Sequence, residues 1–168
     1  MKIRPFVIDD DFDQIKDWID DERSHAMWCA NNVDYPMNKE SFGELMQNVA
    51  DRCGDHPYVA TEDDGKVEGF FCYSTDPDTN EGMLKFVVVD PEQRGKGVAK
   101  QMLRMVVDSA FKKYKAMAVN LMVFSENERA KKCYESVGFK ERDTAPGAFS
   151  FKDESWGRCN MVIVNEAI

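Results

Sequence analysis

The order of apolar and polar positions divides the chain into two differently written halves. Residues 2–8 form an apolar-rich run interrupted by Pro5, which predicts a first strand at a sheet edge. Asp9, Asp10 and Asp11 then predict a helix start, with Phe12, Ile15 and Ile19 on its apolar face. Residues 24–38 show no clear period and include Trp28 and Tyr35, so this stretch reads as a loop between helices. Helical spacing returns over about 39–52, where Phe42, Leu45, Met46 and Val49 share one side. Strands are predicted at 58–61, 67–73 and 83–89, separated by turns at Asp64-Gly65 and over 76–80.

The second half reads as α/β. Val98, Met102, Val106 and Ala110 give the inner face of a helix over about 95–114. Residues 118–124 are almost all apolar, which predicts a central strand covered on both faces. Ser125 followed by Glu128 has the spacing of a capping box, and Gly138 has the place of a C-terminal helix glycine. Two last strands, 139–142 and 156–164, flank a polar loop over 144–156. With no repeat, low-complexity tract or linker, residues 1–168 read as one α+β domain.

Composition narrows the possibilities. A chain of 168 residues, 43% hydrophobic, can bury a sizeable core. No apolar stretch approaches the roughly 20 residues of a membrane span, and the charged N-terminal residues do not resemble a signal peptide. Cysteines at 29, 53, 72, 133 and 159 include no C-x-x-C pair, which points to reduced thiols in a cytoplasmic protein. Cys53 and His56 have ligand-like spacing, but His25 is the only other histidine, so no metal site is expected. The net charge of −9 is unevenly spread. Residues 91–142 hold twelve Lys/Arg against six Asp/Glu, whereas residues 1–90 hold eight against twenty-one. That division suits an anionic cofactor in one region and a cationic substrate near the other, and overall acidity argues against nucleic acid.

The candidate chemistry begins at the junction of strand 83–89 with the following helix. Arg94-Gly95-Lys96-Gly97-Val98-Ala99 is a glycine-rich turn opening a helix. Such a turn aims backbone N–H groups and the positive end of the helix dipole at one point, a natural seat for a diphosphate. It is not a Walker loop, and Lys100 stands where a dinucleotide fingerprint needs its third glycine. Taken alone, it also reads as a glycine-rich turn whose arginine and lysine sit in solvent. In the second βα unit, Asn127, Ala130, Lys131 and Tyr134 fall on one helix face, spanning about 10 Å of axis. An amide at one end and a phenol at the other can flank an elongated ligand, or Tyr134 can simply pack against the core.

These segments together resemble the GNAT N-acetyltransferase superfamily. Its acetyl-CoA signature Arg/Gln-x-x-Gly-x-Gly/Ala is matched by Arg94, Gly97 and Ala99, and Asn127-x-x-Ala130-x-x-x-Tyr134-x-x-x-Gly138-Phe139 is likewise typical. The resemblance implies a mixed, mainly antiparallel sheet of six to seven strands, flanked by about four helices and splayed at the cofactor site. It implies acetyl-CoA as cosubstrate, with backbone N–H groups from Arg94 to Ala99 (Gly95, Lys96, Gly97 and Val98 between them) on the pyrophosphate. Asn127, Ala130 and Lys131 would lie along the cofactor. Val87, Val88 and Val89 would line it, Val87 and Val89 pairing with the pantetheine and an amide near Val87 polarising the thioester. Lys96, Lys100 or Lys131 would meet the 3′-phosphate.

A thioester is already activated, so the implied reaction is direct attack by a primary amine of a small molecule or peptide, without a cysteine nucleophile. Tyr134 is the implied acid toward the departing thiolate. Glu81 is the candidate base, alternatively a turn residue beside Asn80; some relatives carry a glutamate on the next strand, where this chain has Met122. Trp28, Tyr35 and Trp156 are candidates for an acceptor pocket, with Asp153 and Glu154 able to attract a cation. The resemblance is compatible with a monomer or a homodimer, and a silent acyl-CoA-binding module or protein-interaction domain is the alternative function.

Overall fold

Successive residues of one strand feed two separate cores. In β3 (Val67–Thr75), Phe70 and Cys72 pack with Phe12, Phe42, Met46 and Val59, while Phe71 between them packs with Leu84, Met102, Val119 and Leu121. Strand alternation sends neighbours to opposite faces, so a strand covered on both sides is apolar nearly throughout. The computed structural model describes residues 1–168. Its other strands are β1 (Lys2–Pro5), β2 (His56–Thr61), β4 (Glu81–Val89), β5 (Ala118–Phe124), β6 (Lys140–Phe151) and β7 (Glu154–Val164). They form one seven-stranded sheet in the order β1-β2-β3-β4-β5-β7-β6. Every neighbouring pair is antiparallel except β4 and β5, which are parallel.

Helices α1 (Ile8–Ile15), α2 (Glu22–Cys29) and α3 (Lys39–Cys53) cover the first core. Helices α4 (Val98–Lys112) and α5 (Glu128–Val137) cover the second. The α+β class and the mainly antiparallel sheet are as expected, with seven strands and one helix more than the implied four. Helix α3 opens on a reciprocal cap between Asn38 and Ser41 and closes at Gly54, whose φ of 68° suits a residue without Cβ.

Several boundaries differ from the sequence expectation. The first strand ends at Pro5, and Ile8 already belongs to α1. The helix stops at Ile15, so Ile19 is outside it and lines a cleft instead. Residues 22–29 are α2, so the first part of the stretch 24–38 expected as loop is helical; its buried Ala26 and Cys29 lie beside buried His25, a mixture that blurs the periodic signal. Ser125 caps nothing: its N–H donates to Gly157 O, and Asn127 is the N-cap of α5, accepting from Ala130 N. The polar stretch 144–156 is not a loop but most of a β6–β7 hairpin, its outer strand largely in water.

The acidic run does not cap α1 as expected either. Val7 is the N-cap without a side-chain bond, and Asp11 turns inward. The wholly buried Asp11 carboxylate accepts from Arg4 Nη1 and Nη2 at 2.8 and 2.7 Å and from Val7 N at 2.8 Å. Burial alone would raise this carboxyl, but the Arg4 and Val7 hydrogen bonds and the Arg4 charge outweigh it and hold it below its ordinary value. A depressed folded value means the pair's stabilisation is present above the unfolded value near 3.8 and is lost as pH falls through the folded one. Arg4→Ala is therefore expected to lower stability at pH 7 by about 2 kcal/mol, by leaving a buried acceptor partly unpaired. Urea midpoints measured from pH 7 downward should show that difference shrinking once pH drops below about 4.

Candidate functional site

The site begins with one extra residue in β4. Against β3, Val88 faces Phe70 and Lys85 faces Cys72, so Phe71 stands opposite both Phe86 and Val87. This is a bulge, and Phe86 adopts a φ of +53° to make it. For a bulky side chain that conformation costs roughly 1–2 kcal/mol. Beyond the bulge β4 leaves β5. Their parallel pairing runs from Glu81↔Ala118 to Leu84↔Leu121 and ends there, while β4 stays on β3 to Val89 and β5 stays on β7 to Phe124. Asp90 N–H donates to Glu68 O, so by alternation Val88 faces β3 and the backbone groups of Val87 and Val89 face the gap.

The gap opens into a cleft of about 660 Å3 that passes from α2 on one face to α4 and α5 on the other. Gly95 and Gly97 shape its floor with φ of +75° and +80°, values a Cβ-bearing residue resists. Gly97 caps α4 with no side-chain bond, and Gln101 N to Gly97 O is the first bond of that helix. The N–H groups of Val98, Ala99 and Lys100 precede that bond and have no helical partner, which leaves the positive end of α4 open to an anion. The N–H groups of Arg94 and Lys96 instead turn back to Pro91 O and Gln93 O at 3.3 and 3.4 Å, a departure from the expectation that all six were free. Arg94 and Arg129 both line the cleft; burial first, then the charge of Arg129, lowers Arg94 from its ordinary value.

Helix α5 supplies the opposite wall. The Asn127 side-chain oxygen accepts from Ala130 N, which leaves its amide N–H groups for the cleft. Two turns on, Tyr134 lines the same cleft with only 8% of its surface exposed. Burial, and secondarily the neighbouring Cys133, push its phenol well above the ordinary value, so it remains a proton donor. Helix α2 closes the far end with Ser24, Met27 and Trp28, at the i, i+3, i+4 spacing of one face. The Trp28 indole N–H donates to Phe86 O at 2.8 Å.

Val87, Val88, Val89, Arg94, Gly95, Gly97, Val98, Ala99, Asn127, Ala130, Tyr134 and Trp28 therefore meet around one cavity. Lys96 and Lys131 do not line it, and Lys131 lies 3.6 Å from Glu141. Lys100 does line it.

Glu81 is elsewhere. It accepts from Arg142 Nη1 and Nη2 at 2.9 and 3.1 Å and from Asn120 Nδ2 at 3.0 Å, on the still-paired part of β4. No carboxylate lines the cleft. Trp156 is wholly buried among Phe124, Phe149 and Phe151, under the Arg23 guanidinium, and Tyr35 packs on His25; neither reaches the cavity. Glu154 is occupied by Arg23. Sequence reasoning missed Ile19, Ser24, Met27 and Arg129 as lining residues. Only Arg129 had a signal, its place two residues after Asn127 at the start of α5.

Comparison with known proteins bears on the family and the fold. The sequence profile of the acetyltransferase (GNAT) family matches residues 12–139. Spermidine N-acetyltransferase from Vibrio cholerae, solved with CoA and spermine, superposes with a TM-score of 0.78 at 18% identity, covering 97% of this chain and 94% of its own. The ribosomal-protein-S5-alanine acetyltransferase from Vibrio fischeri gives a TM-score of 0.74 at 18% identity, covering 98% and 92%. At these identities the two structures establish the fold.

The buried phenol has a measurable consequence. The unfolded chain ionises its tyrosines near pH 10, whereas folded Tyr134 stays neutral beyond that. Its stabilisation is thus present below about pH 10 and is lost as pH rises through the folded value. An ultraviolet titration should show wild type and Tyr134→Phe ionising the same number of phenols up to about pH 10. A phenol that titrates there in wild type alone contradicts the burial.

Proposed function

The chain belongs to the acetyltransferase (GNAT) family, and we propose that it moves an acetyl group from acetyl-CoA directly to a primary amine of a cationic small molecule or peptide. One observation carries this reading: the β4–β5 gap, the uncapped start of α4 and the Tyr134 phenol share a single cleft. The pyrophosphate would sit on the N–H groups of Gly95, Gly97, Val98 and Ala99, with Arg94, Arg129 and Lys100 adding positive charge. Pantetheine would occupy the gap as a strand-like filler, pairing with Val87 and Val89, while Asn127 donates to its arm. The thioester would then lie beside the bulge, where the Val87 N–H would meet the carbonyl oxygen and the negative charge that develops on it.

An amine of lysine-like basicity is almost wholly protonated at pH 7, and deprotonating it costs about 4.6 kcal/mol. With no carboxylate among the lining residues and Glu81 engaged by Arg142 and Asn120, water in the cleft takes that proton. The neutral nitrogen attacks the carbonyl carbon, the C–S bond breaks, and the thiolate of CoA leaves. Tyr134 stabilises it by hydrogen bonding. Since the raised phenol is a weaker acid than a thiol, donation of a hydrogen bond matters more than full proton transfer.

The cationic acceptor is supported by the rim on the α1–α2 side. Asp17 and Asp20 flank Ile19, which lines the cleft, and the Asp20 charge is felt at Arg94 on the cleft wall. Carboxylates there attract and orient a polyamine or basic peptide before it is deprotonated. The Vibrio cholerae protein solved with spermine is compatible with that class.

Thiol release from acetyl-CoA, measured across polyamines, amino acids and basic peptides, tests the proposal; turnover confined to neutral or anionic amines refutes the cationic acceptor. Tyr134→Phe is expected to lower turnover about 100-fold while the Kd for acetyl-CoA changes little. Gly97→Ala meets no atom within 4 Å, yet its φ of +80° is disfavoured for alanine. Calorimetry should show acetyl-CoA binding weakened roughly tenfold by the strained turn.

A further inference from the structure

The bulge raises a question that its own strand does not answer: what holds a phenylalanine at a φ of +53°? The contact comes from the other side of the cleft. Trp28 of α2 donates its indole N–H to the Phe86 carbonyl at 2.8 Å. Its ring lies edge-on to Phe86 and Phe70 at centroid distances of 5.8 and 6.5 Å, and stacks on Phe42 at 6.2 Å. Helix α2 is itself anchored. Arg23 makes a bidentate pair with Glu154 on the β6–β7 hairpin, Asp21 accepts from Ser24 N, and His25 Nε2 is 2.7 Å from Val33 O. The indole is thus a fixed donor reaching from a fixed helix.

That carbonyl belongs to the same peptide group as the Val87 N–H. The group is planar and, being trans, points its C=O and its N–H in opposite directions. Whatever orients the Phe86 oxygen therefore orients the Val87 hydrogen. Accepting a hydrogen bond at the oxygen also polarises the amide, which makes its N–H a better donor.

We infer that Trp28 is a positioning residue for acetyl transfer: by holding the Phe86 oxygen it aims and strengthens the Val87 N–H that meets the thioester carbonyl. The inference rests on the acetyl-CoA reading above. It gives Trp28 a role distinct from walling an acceptor pocket, because its one polar atom is spent on the backbone of β4 and not on a substrate.

Isotope-edited infrared spectra of bound acetyl-CoA, 13C-labelled at the thioester carbonyl, test this together with steady-state kinetics. In wild type the carbonyl band lies below its position in free acetyl-CoA, because a donor weakens the C=O bond. In Trp28→Phe, which keeps an aromatic ring and lacks the N–H, the band moves back toward the free position. In parallel kcat falls about tenfold, with KM for acetyl-CoA within twofold of wild type. Replacing Trp28 by benzothienylalanine, which preserves the bicyclic shape without the N–H, gives the same result even if the phenylalanine variant folds poorly.

A wild-type band position and kcat in the benzothienylalanine protein overturn the role of Trp28 and leave the acetyltransferase reading standing. A wild-type protein that binds no acetyl-CoA overturns both.

Discussion

A β-strand cannot hold a neighbour on each side and also present a row of unpaired amides. This molecule resolves the conflict with a single inserted residue. Phe86 shifts the register of β4 on β3, the strand bends, and its ladder with β5 ends at Leu84↔Leu121. Each strand keeps its other partner, so the sheet stays whole at both flanks while a slot opens in its middle. The cleft, the orientation of Val87 and Val89, and the access of α2 to the centre of the sheet all descend from that insertion.

The slot is electrically lopsided. On the α4 and α5 side stand Arg94, Arg129, Lys100 and an uncapped helix start; on the other, the segment joining α1 to α2 carries Asp17 and Asp20 beside Ile19, which lines the cleft. Two oppositely charged molecules entering from the two faces would each meet a favourable potential. Between the two sides the lining has no carboxylate, and Tyr134 remains neutral because burial disfavours its ionised form. The centre is therefore a place where developing charge is met by directed dipoles more than by fixed ions.

Much of this was legible before the fold was seen. Strand β5 is written as a nearly continuous apolar run, broken only by Asn120, because most of both its faces is covered, and its bounds match the expected 118–124. The two glycines with positive φ and the Asn127–Tyr134 spacing announce the cleft wall, since each residue type is demanded locally. What stayed hidden depends on distant partners. Helix α2 is short and its buried face includes a histidine, so no period stands out. The bulge has a phenylalanine where a glycine would have advertised it, because Trp28, 58 positions away, stabilises the conformation. Trp156 looked like a pocket wall and is core, since its stacking partners come from the other limb of a hairpin whose polar sequence suggests a loop. Glu81 looked like a base because of its place before the signature; a cross-strand arginine at position 142 claims it instead.

That ion pair belongs to a wider row. Glu81, Asn120, Asn160 and Arg142 stand on β4, β5, β7 and β6, one residue from each of four adjacent strands, and are joined in a closed ring of hydrogen bonds. They lie just where β4 and β5 still run together. A tear in cloth stops at a rivet. Here the rivet binds four strands side by side, so the split between β4 and β5 stays a local opening in a sheet that remains tied together beyond it.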